Sequence, residues 1–122
     1  MARIRHESQL ERYAPPGHHG TVNVRLIEKD FCGTFEMALG ILEPGGTAER
    51  HDHDVEYQVL YVLEGLCDVE LGDDPAVECG PGTVIEIPPK VSHFVASKGE
   101  TPLKILVLYS PPLPPRKDIV LD

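Results

Sequence analysis

Two histidines separated by one residue, His51 and His53, are the side chains in this sequence best suited to chemistry. In an extended segment the side-chain period of two places both imidazoles on the same face. Both rings can then reach one metal ion, because imidazole nitrogens bind such ions at about 2.0–2.1 Å. Gln58 could add a weak neutral ligand, and His93 could close the set if its strand pairs beside the first. A solvated histidine pair and a structural His93 would explain the same spacing.

Short apolar runs predict the strands that must position these histidines. Alternating or continuous apolar residues predict β-strands over 22–26, 35–41, 59–63, 67–71, 84–87, 93–97 and 103–109. The second of these is expected to end at Pro44-Gly45-Gly46. The 11 glycines and 12 prolines exclude a helical bundle, because both residues disrupt helix interiors. Strands recurring every 8–14 residues or so are typical of an antiparallel sandwich or barrel.

Two terminal segments flank the strands and divide the chain into three parts. Residues 1–20 form a polar N-terminal arm, residues 21–110 the β-barrel domain, and residues 111–122 a proline-rich tail. Because proline cannot donate to a sheet, the tail is expected to lie extended on the surface or to cross to a partner subunit. His18 and His19, between two glycines, are expected to form a flexible turn from which at most one imidazole reaches a site.

Charge and cysteine usage exclude several classes of partner. The formal net charge of −9 disfavours binding to nucleic acid and to anionic membranes. No apolar run is long enough to cross a membrane as a helix, and the first ten residues lack the apolar region of a signal peptide. The 3 cysteines form no CxxC pair. A reduced, cytoplasmic protein is therefore expected.

The residues from Gly45 to Gly65 resemble the first motif of the cupin superfamily. That motif is a glycine, five residues, HxH, three or four residues, a glutamate, six residues and a glycine. His51 and His53 fall on its histidines, and Gln58 occupies the glutamate position. Several fixed spacings hold together, which makes this match specific.

A looser match to the second cupin motif follows at the expected distance. Gly82, Pro88 and His93 match its glycine, proline and histidine. Lys90 replaces a motif glycine, and Ser97 replaces a motif asparagine. The two motifs together span most of residues 35–110.

The resemblance implies a small antiparallel jelly-roll β-barrel that is usually a homodimer. It also implies one divalent transition metal per chain (Fe, Mn, Ni or Zn) on His51, His53 and His93, with Gln58 in the fourth position. Gln58 could instead only hydrogen-bond a barrel neighbour, or could mark lost metal binding. Glu56, two residues earlier, is a minor candidate ligand.

An all-neutral ligand set leaves the full double charge on the ion and so favours anionic ligands such as enolates or carboxylates. This set resembles that of three-histidine cupin dioxygenases that use Fe(II). The expected function is metal-dependent chemistry on a small anionic organic molecule, either dioxygenation or related enolate chemistry, with the catalytic residues unassigned. A non-catalytic sensor or carrier and a sugar isomerase-like cupin are the alternatives.

Overall fold

The structure is a computed structural model that describes residues 2–121, and strands make up most of it. A single turn of 3₁₀ helix, Glu7–Gln9, precedes the first strand. The strands are β1 (Arg12–Ala14), β2 (His18–Ile27), β3 (Glu36–His51), β4 (Tyr57–Glu64), β5 (Leu66–Leu71), β6 (Val77–Cys79), β7 (Val84–Ile87), β8 (His93–Lys98), β9 (Leu103–Ser110) and β10 (Ile119–Leu121). Within residues 2–121, no helix is long and apolar enough to cross a membrane.

The long strand β3 joins the two walls of the barrel. Its first part, residues 36–42, pairs with β9, whereas residues 47–51 pair with β8. Beyond β9 the sheet continues through β4 to β7, and beyond β8 it continues through β5 to β6. On its other edge β3 pairs with β2, and every paired neighbour is antiparallel. The curled sheet confirms the predicted all-β antiparallel jelly-roll barrel.

The expected end of this strand at Pro44-Gly45-Gly46 is wrong, because the chain bends there and continues. Gly45 adopts a φ of +84°, which a residue with a side chain rarely takes. The bend separates the part of β3 that pairs with β9 from the part that pairs with β8. It therefore directs the C-terminal end of the strand, which carries His51, toward β8.

The interior is filled by inward-facing residues of the two walls. On β4, Gln58, Leu60 and Val62 are buried, whereas the alternating residues Tyr57 and Tyr61 face outward. The same alternation on the other strands completes one apolar cluster, whose most buried members are Leu42, Leu60, Val62, Cys67 and Leu103. Burying each such side chain stabilises the fold by about 1.5–3 kcal/mol. The cluster holds the strand ends that carry the histidines in fixed positions.

Both terminal segments lie against the barrel. Strand β1 from the arm pairs with β2 on one side and with β10 from the tail on the other. The tail is also held where Ser110 Oγ donates a hydrogen bond to the Thr34 carbonyl at 2.8 Å. Leu113 is buried within the proline-rich stretch. No pattern in the sequence predicted β1, β6 or β10.

Lys90 occupies the motif position that is usually glycine, and its backbone explains why glycine suits it. It is the one non-glycine residue with positive φ, +69°, among residues 2–121. This conformation costs an L-residue about 1–2 kcal/mol, whereas glycine loses roughly 0.5–1 kcal/mol more backbone entropy on folding. The Lys90 amide donates to the His53 carbonyl at 2.7 Å, which fixes the turn.

Replacing Lys90 by glycine is therefore expected to raise the free energy of unfolding, by up to about 1 kcal/mol. Urea denaturation of the wild type and of Lys90→Gly measures the change. Lys90→Ala is the matched control, because it removes the ammonium group but keeps the backbone penalty. A Lys90→Gly protein less stable than Lys90→Ala would contradict the argument.

Candidate metal centre

His51, His53 and His93 meet where β3 ends and β8 begins. His51 and His93 are direct cross-strand partners, and their ring centroids lie 4.3 Å apart. The His53 ring centroid lies 4.9 Å from that of His51 and 5.5 Å from that of His93. One ring nitrogen from each residue falls within 4.8 Å of the other two. His53 lies just beyond the end of β3. The His51 and His53 rings therefore converge although only His51 belongs to the strand.

Hydrogen bonds to backbone carbonyls orient two of the three rings. His51 Nδ1 lies 2.6 Å from the Glu49 carbonyl oxygen, and His93 Nδ1 lies 3.0 Å from that of Val91. A carbonyl can only accept, so both Nδ1 atoms carry the proton and each Nε2 keeps a free lone pair. Such a contact is the usual support of a metal-binding imidazole.

The buried atoms without partners test whether these residues fit a metal ion. Nε2 of His53, Nε2 of His93 and Oε1 of Gln58 are all buried without a hydrogen-bond partner. Leaving one such polar atom unpaired costs about 1–3 kcal/mol, so a protein normally avoids it. Coordination of one transition metal ion would satisfy the two imidazole nitrogens together. The donor set therefore fits a divalent transition metal.

Burial keeps the histidines in the neutral form that binds metal. The pKa of His93 is lowered to about 4, chiefly by burial. The hydrogen bond to the Val91 carbonyl opposes this shift, and the neighbouring imidazoles of His51 and His53 add to it. Burial also lowers the pKa of His53, with a smaller contribution from His51. Both imidazoles are therefore uncharged near neutral pH, so metal binding there displaces no proton from them.

Gln58 lies on β4 beside this cluster and is buried. Its Nε2 donates a hydrogen bond to the Tyr109 hydroxyl at 3.3 Å, while Oε1 is left without a partner. The amide thus hydrogen-bonds a barrel neighbour and still has a free oxygen, so the geometry is compatible with both roles considered for it. Glu56 is also buried, but it does not join the three-histidine group, and its Oε1 accepts from the Val55 amide at 3.4 Å.

We expect Gln58→Glu to tighten metal binding by about tenfold or more, because a carboxylate adds negative charge at the ligand position. The Tyr109 hydroxyl can donate to the new carboxylate, so the substitution keeps a hydrogen bond there. Competition against a metal-sensitive dye measures the affinity. Gln58→Met, which has a similar volume but no ligand oxygen, is the control. Equal or weaker affinity of the Gln58→Glu protein would count against a position for residue 58 next to the ion.

His18 is a fourth histidine of the site that sequence analysis missed. The expected flexible turn at His18 and His19 is wrong, since both residues begin strand β2. His18 lines the same cavity as His51, and its Nδ1 is buried without a partner, so it could also bind an ion or a ligand. Burial lowers its pKa to about 4, with His51 contributing next. His19 points away into solvent.

An irregularity in the pairing of β2 with β3 explains why the sequence did not predict the position of His18. The register between β2 and β3 shifts between His19 and Thr21, where Gly20 adopts a φ of +63°. Here Gly20 alone stands opposite residues 43–46 of β3. Across this irregularity His18 faces the interior together with Asn23, although their spacing is odd. A glycine at the start of an alternating strand was the one signal of this irregularity.

A cleft opens from the histidines to the surface between the two terminal segments. Its volume is about 280 Å³, and a smaller cavity of about 30 Å³ extends it into the barrel. Pro15, Pro16 and His18 line the cleft from one side, and Leu113 and Arg116 line it from the tail. The cleft therefore has the three histidines at its buried end, an apolar inner wall and an open mouth with a positively charged side chain.

A small antiparallel β-barrel with three converging imidazoles that could hold a metal ion defines the class of protein. The cupin domain family matches residues 38–109, and the chain belongs to this family. The predicted membership of the cupin superfamily is thereby confirmed.

Three individual proteins are similar to this chain. Protein SchB of Streptomyces halstedii is 31% identical over 109 residues, which cover 86% of this chain and 77% of SchB. The uncharacterized protein MJ1618 of Methanocaldococcus jannaschii is 36% identical over 76 residues, 62% of this chain, and the chain spans only 60% of its length. The structure of the polyketide cyclase RemF from Streptomyces resistomycificus superposes with a TM-score of 0.81 and 27% identity, covering 100% of this chain and 88% of RemF.

Proposed function

We propose that the protein is a mononuclear metal cupin that binds a small β-dicarbonyl compound as its enolate and directs carbon–carbon bond formation within it. The carrying observation is the convergence of three imidazoles within 4.8 Å at the inner end of an open cleft. His51, His53 and His93 would hold one divalent ion, either Fe, Mn, Ni or Zn. When bound, such an ion supplies a Lewis acid that stabilises negative charge on an enolate oxygen.

Two features favour an enolate as the bound species. All candidate ligands, including Gln58, are neutral, so an ion would keep its full charge and attract an anion. The similarity to RemF, a polyketide cyclase, extends over the whole chain at 27% identity. Polyketide cyclisation joins carbons of a poly-β-ketone chain, and its nucleophile is an enol or enolate. The two features therefore point to the same substrate chemistry.

Residues of the inner cleft would bind and orient such a compound. The Tyr109 hydroxyl accepts a hydrogen bond from Gln58 Nε2, so its own proton is free to be donated to a ligand oxygen. Burial raises the pKa of Tyr109, so this proton stays on the oxygen at neutral pH. Leu42, Leu60 and Val107 line the small inner cavity and give the cleft an apolar inner end. A chain folded within the larger cleft would have its reacting carbons close together.

The test is conversion of linear triketones by metal-loaded protein, followed by mass spectrometry. A carbocyclic product formed with loss of one water, distinguished by NMR from the isomeric pyranone of equal mass, supports the proposal. The control is His93→Ala, which lacks one candidate ligand and should give no product above the spontaneous rate. Equal product from wild type and His93→Ala would refute metal-dependent cyclisation. Binding of the triketones without any conversion would instead identify a non-catalytic binding module.

Oxygen-dependent cleavage of the same enolates is the second candidate, favoured by the identity of the three ligands. Three imidazoles with an amide in place of the glutamate leave positions open for both a substrate and O₂. The discriminating measurement is oxygen uptake by iron-loaded protein, with ¹⁸O₂ to trace the atoms into the product. Incorporation of both oxygen atoms identifies a dioxygenase, whereas product formation without oxygen uptake identifies a cyclase.

A further inference from the structure

The tail places one cation, Arg116, in the mouth of the cleft. Arg116 lines the cleft together with His18, His51 and His53, and its side chain is 22% exposed. Its guanidinium carbon lies 6.0 Å from the centroid of the Tyr109 ring. The His53 ring centroid lies 5.2 Å from that of the same tyrosine. The guanidinium and the candidate metal ligand His53 are thus both neighbours of the Tyr109 ring.

Two carboxylates hold the guanidinium and leave part of it free. Arg116 Nε lies 3.2 Å from Asp118 Oδ1, and Nη1 donates to Glu36 Oε1 at 3.4 Å. Within the described part of the chain, Nη2 has no hydrogen-bond partner. A guanidinium presents five donors in a rigid fork that matches a carboxylate. The two ion pairs therefore fix the orientation of the fork without using all of its donors.

The tail itself is held in place, so Arg116 has a defined position. The Leu113 amide donates to Glu36 Oε1 at 3.4 Å, and β10 pairs with β1 beyond Arg116. Asp118 also binds Arg25 of β2, with Arg25 Nη2 3.1 Å from Asp118 Oδ2. These contacts tie both sides of Arg116 to the barrel.

The other arginine along the cleft is committed elsewhere. Arg50 Nη2 forms an ion pair with Glu70 Oε1 at 2.6 Å. Its Nη1 donates to the Gly72 carbonyl and to Ser92 Oγ, each at 3.0 Å. All three partners lie toward β5 and the start of β8, away from the tail. Arg50 therefore serves as a comparison residue of equal charge on the same cleft.

We propose that Arg116 binds an anionic group of the ligand, a carboxylate carried a few bonds away from the oxygens that reach the metal centre. This proposal deepens the proposed function and rests on it only for the diketone end of the ligand. It assigns substrate selection to the C-terminal tail and metal binding to the barrel. A β-diketone with a tethered carboxylate is the matching class of compound.

Succinylacetone and butyrylacetone test this assignment, because they share the β-diketone and differ in one terminal carboxylate. Calorimetric titrations use the full-length protein in both metal-free and metal-loaded forms. We expect the wild type to bind succinylacetone about tenfold more tightly than butyrylacetone, as one charge-assisted hydrogen bond allows. Arg116→Gln should bind the two probes equally, whereas Arg50→Gln should keep the preference.

Each result decides one part of the argument. A wild type without preference, or an Arg116→Gln protein that keeps it, overturns the assignment, and the wild-type comparison needs no variant to fold. If metal-loaded protein prefers succinylacetone but converts no β-dicarbonyl compound, the assignment stands and the proposed catalytic function fails. If diketones are converted without any preference for the carboxylate, the catalytic function stands and the assignment fails.

Discussion

Replacement of His93 by alanine is expected to abolish stoichiometric metal binding. Metal affinity should fall by about a hundredfold or more, because even loss of a residue that supports a ligand lowers affinity by about 10- to 100-fold. His93 is almost completely buried and is the cross-strand partner of His51. Its Nε2 has no partner in the protein. Removing the ring thus removes one of three converging donors.

Elemental analysis after dialysis against buffer without chelator, on protein carrying no histidine tag, measures the effect. The wild type should retain one first-row metal ion per chain and His93→Ala none. His19→Ala is the matched control, because His19 is exposed and faces away from the site. Unfolding gives a second readout, since an ion at a hundred times its dissociation constant stabilises the folded state by about 2.7 kcal/mol. One tightly held ion in His93→Ala would rule out the three-histidine centre.

Replacement of Gly65 by alanine is expected to lower the free energy of unfolding by about 3 kcal/mol or more. Gly65 adopts a φ of +84° between β4 and β5, where a side chain costs roughly 1–2 kcal/mol. A Cβ atom there would lie 2.7 Å from the Pro102 carbonyl oxygen and 2.9 Å from Leu103 Cα. These are backbone atoms that cannot rotate away, and such overlap costs about 1–3 kcal/mol more.

Gly82 provides a matched control that separates the two effects. It has a φ of +89°, but a Cβ atom there would meet nothing within 4 Å. Gly82→Ala should therefore show the backbone penalty alone. Urea denaturation of both variants, with equal dependence on urea concentration, gives the difference. Equal losses at the two positions would mean that the close approach of the Pro102 backbone to Gly65 contributes nothing.

The strands of the barrel were predictable because one face of each is buried. Alternation placed the strand around Val84–Ile87 correctly, together with most of β5 and β9. The residues His51, His53 and His93 were predictable from spacing and motif, and the structure brings them together. The strand predictions depend on a local pattern that appears wherever one face of a strand packs on a core. The histidine prediction depends on the HxH spacing and on the resemblance to the cupin motifs.

The remaining features depend on contacts between distant parts of the chain. His18 faces the cavity only because the pairing of β2 with β3 is irregular at Gly20. Strands β1 and β10 are three residues each and exist because they pair with each other across more than a hundred residues of sequence. Arg116 reaches the cleft only because β10 fixes the tail. No local pattern encodes such pairings.

The site has two parts, and only one of them lies in the region shared with the cupin domain family. The three converging histidines, Gln58 and Tyr109 all lie within residues 38–109, the region shared with the cupin domain family. His18 and the tail residues Leu113 and Arg116, which form the rim of the cleft, lie outside it. Family membership therefore describes the centre and is silent about the rim. Two cupins with the same barrel can diverge in substrate through their terminal segments alone, so those segments are the informative part of any comparison made to find the ligand.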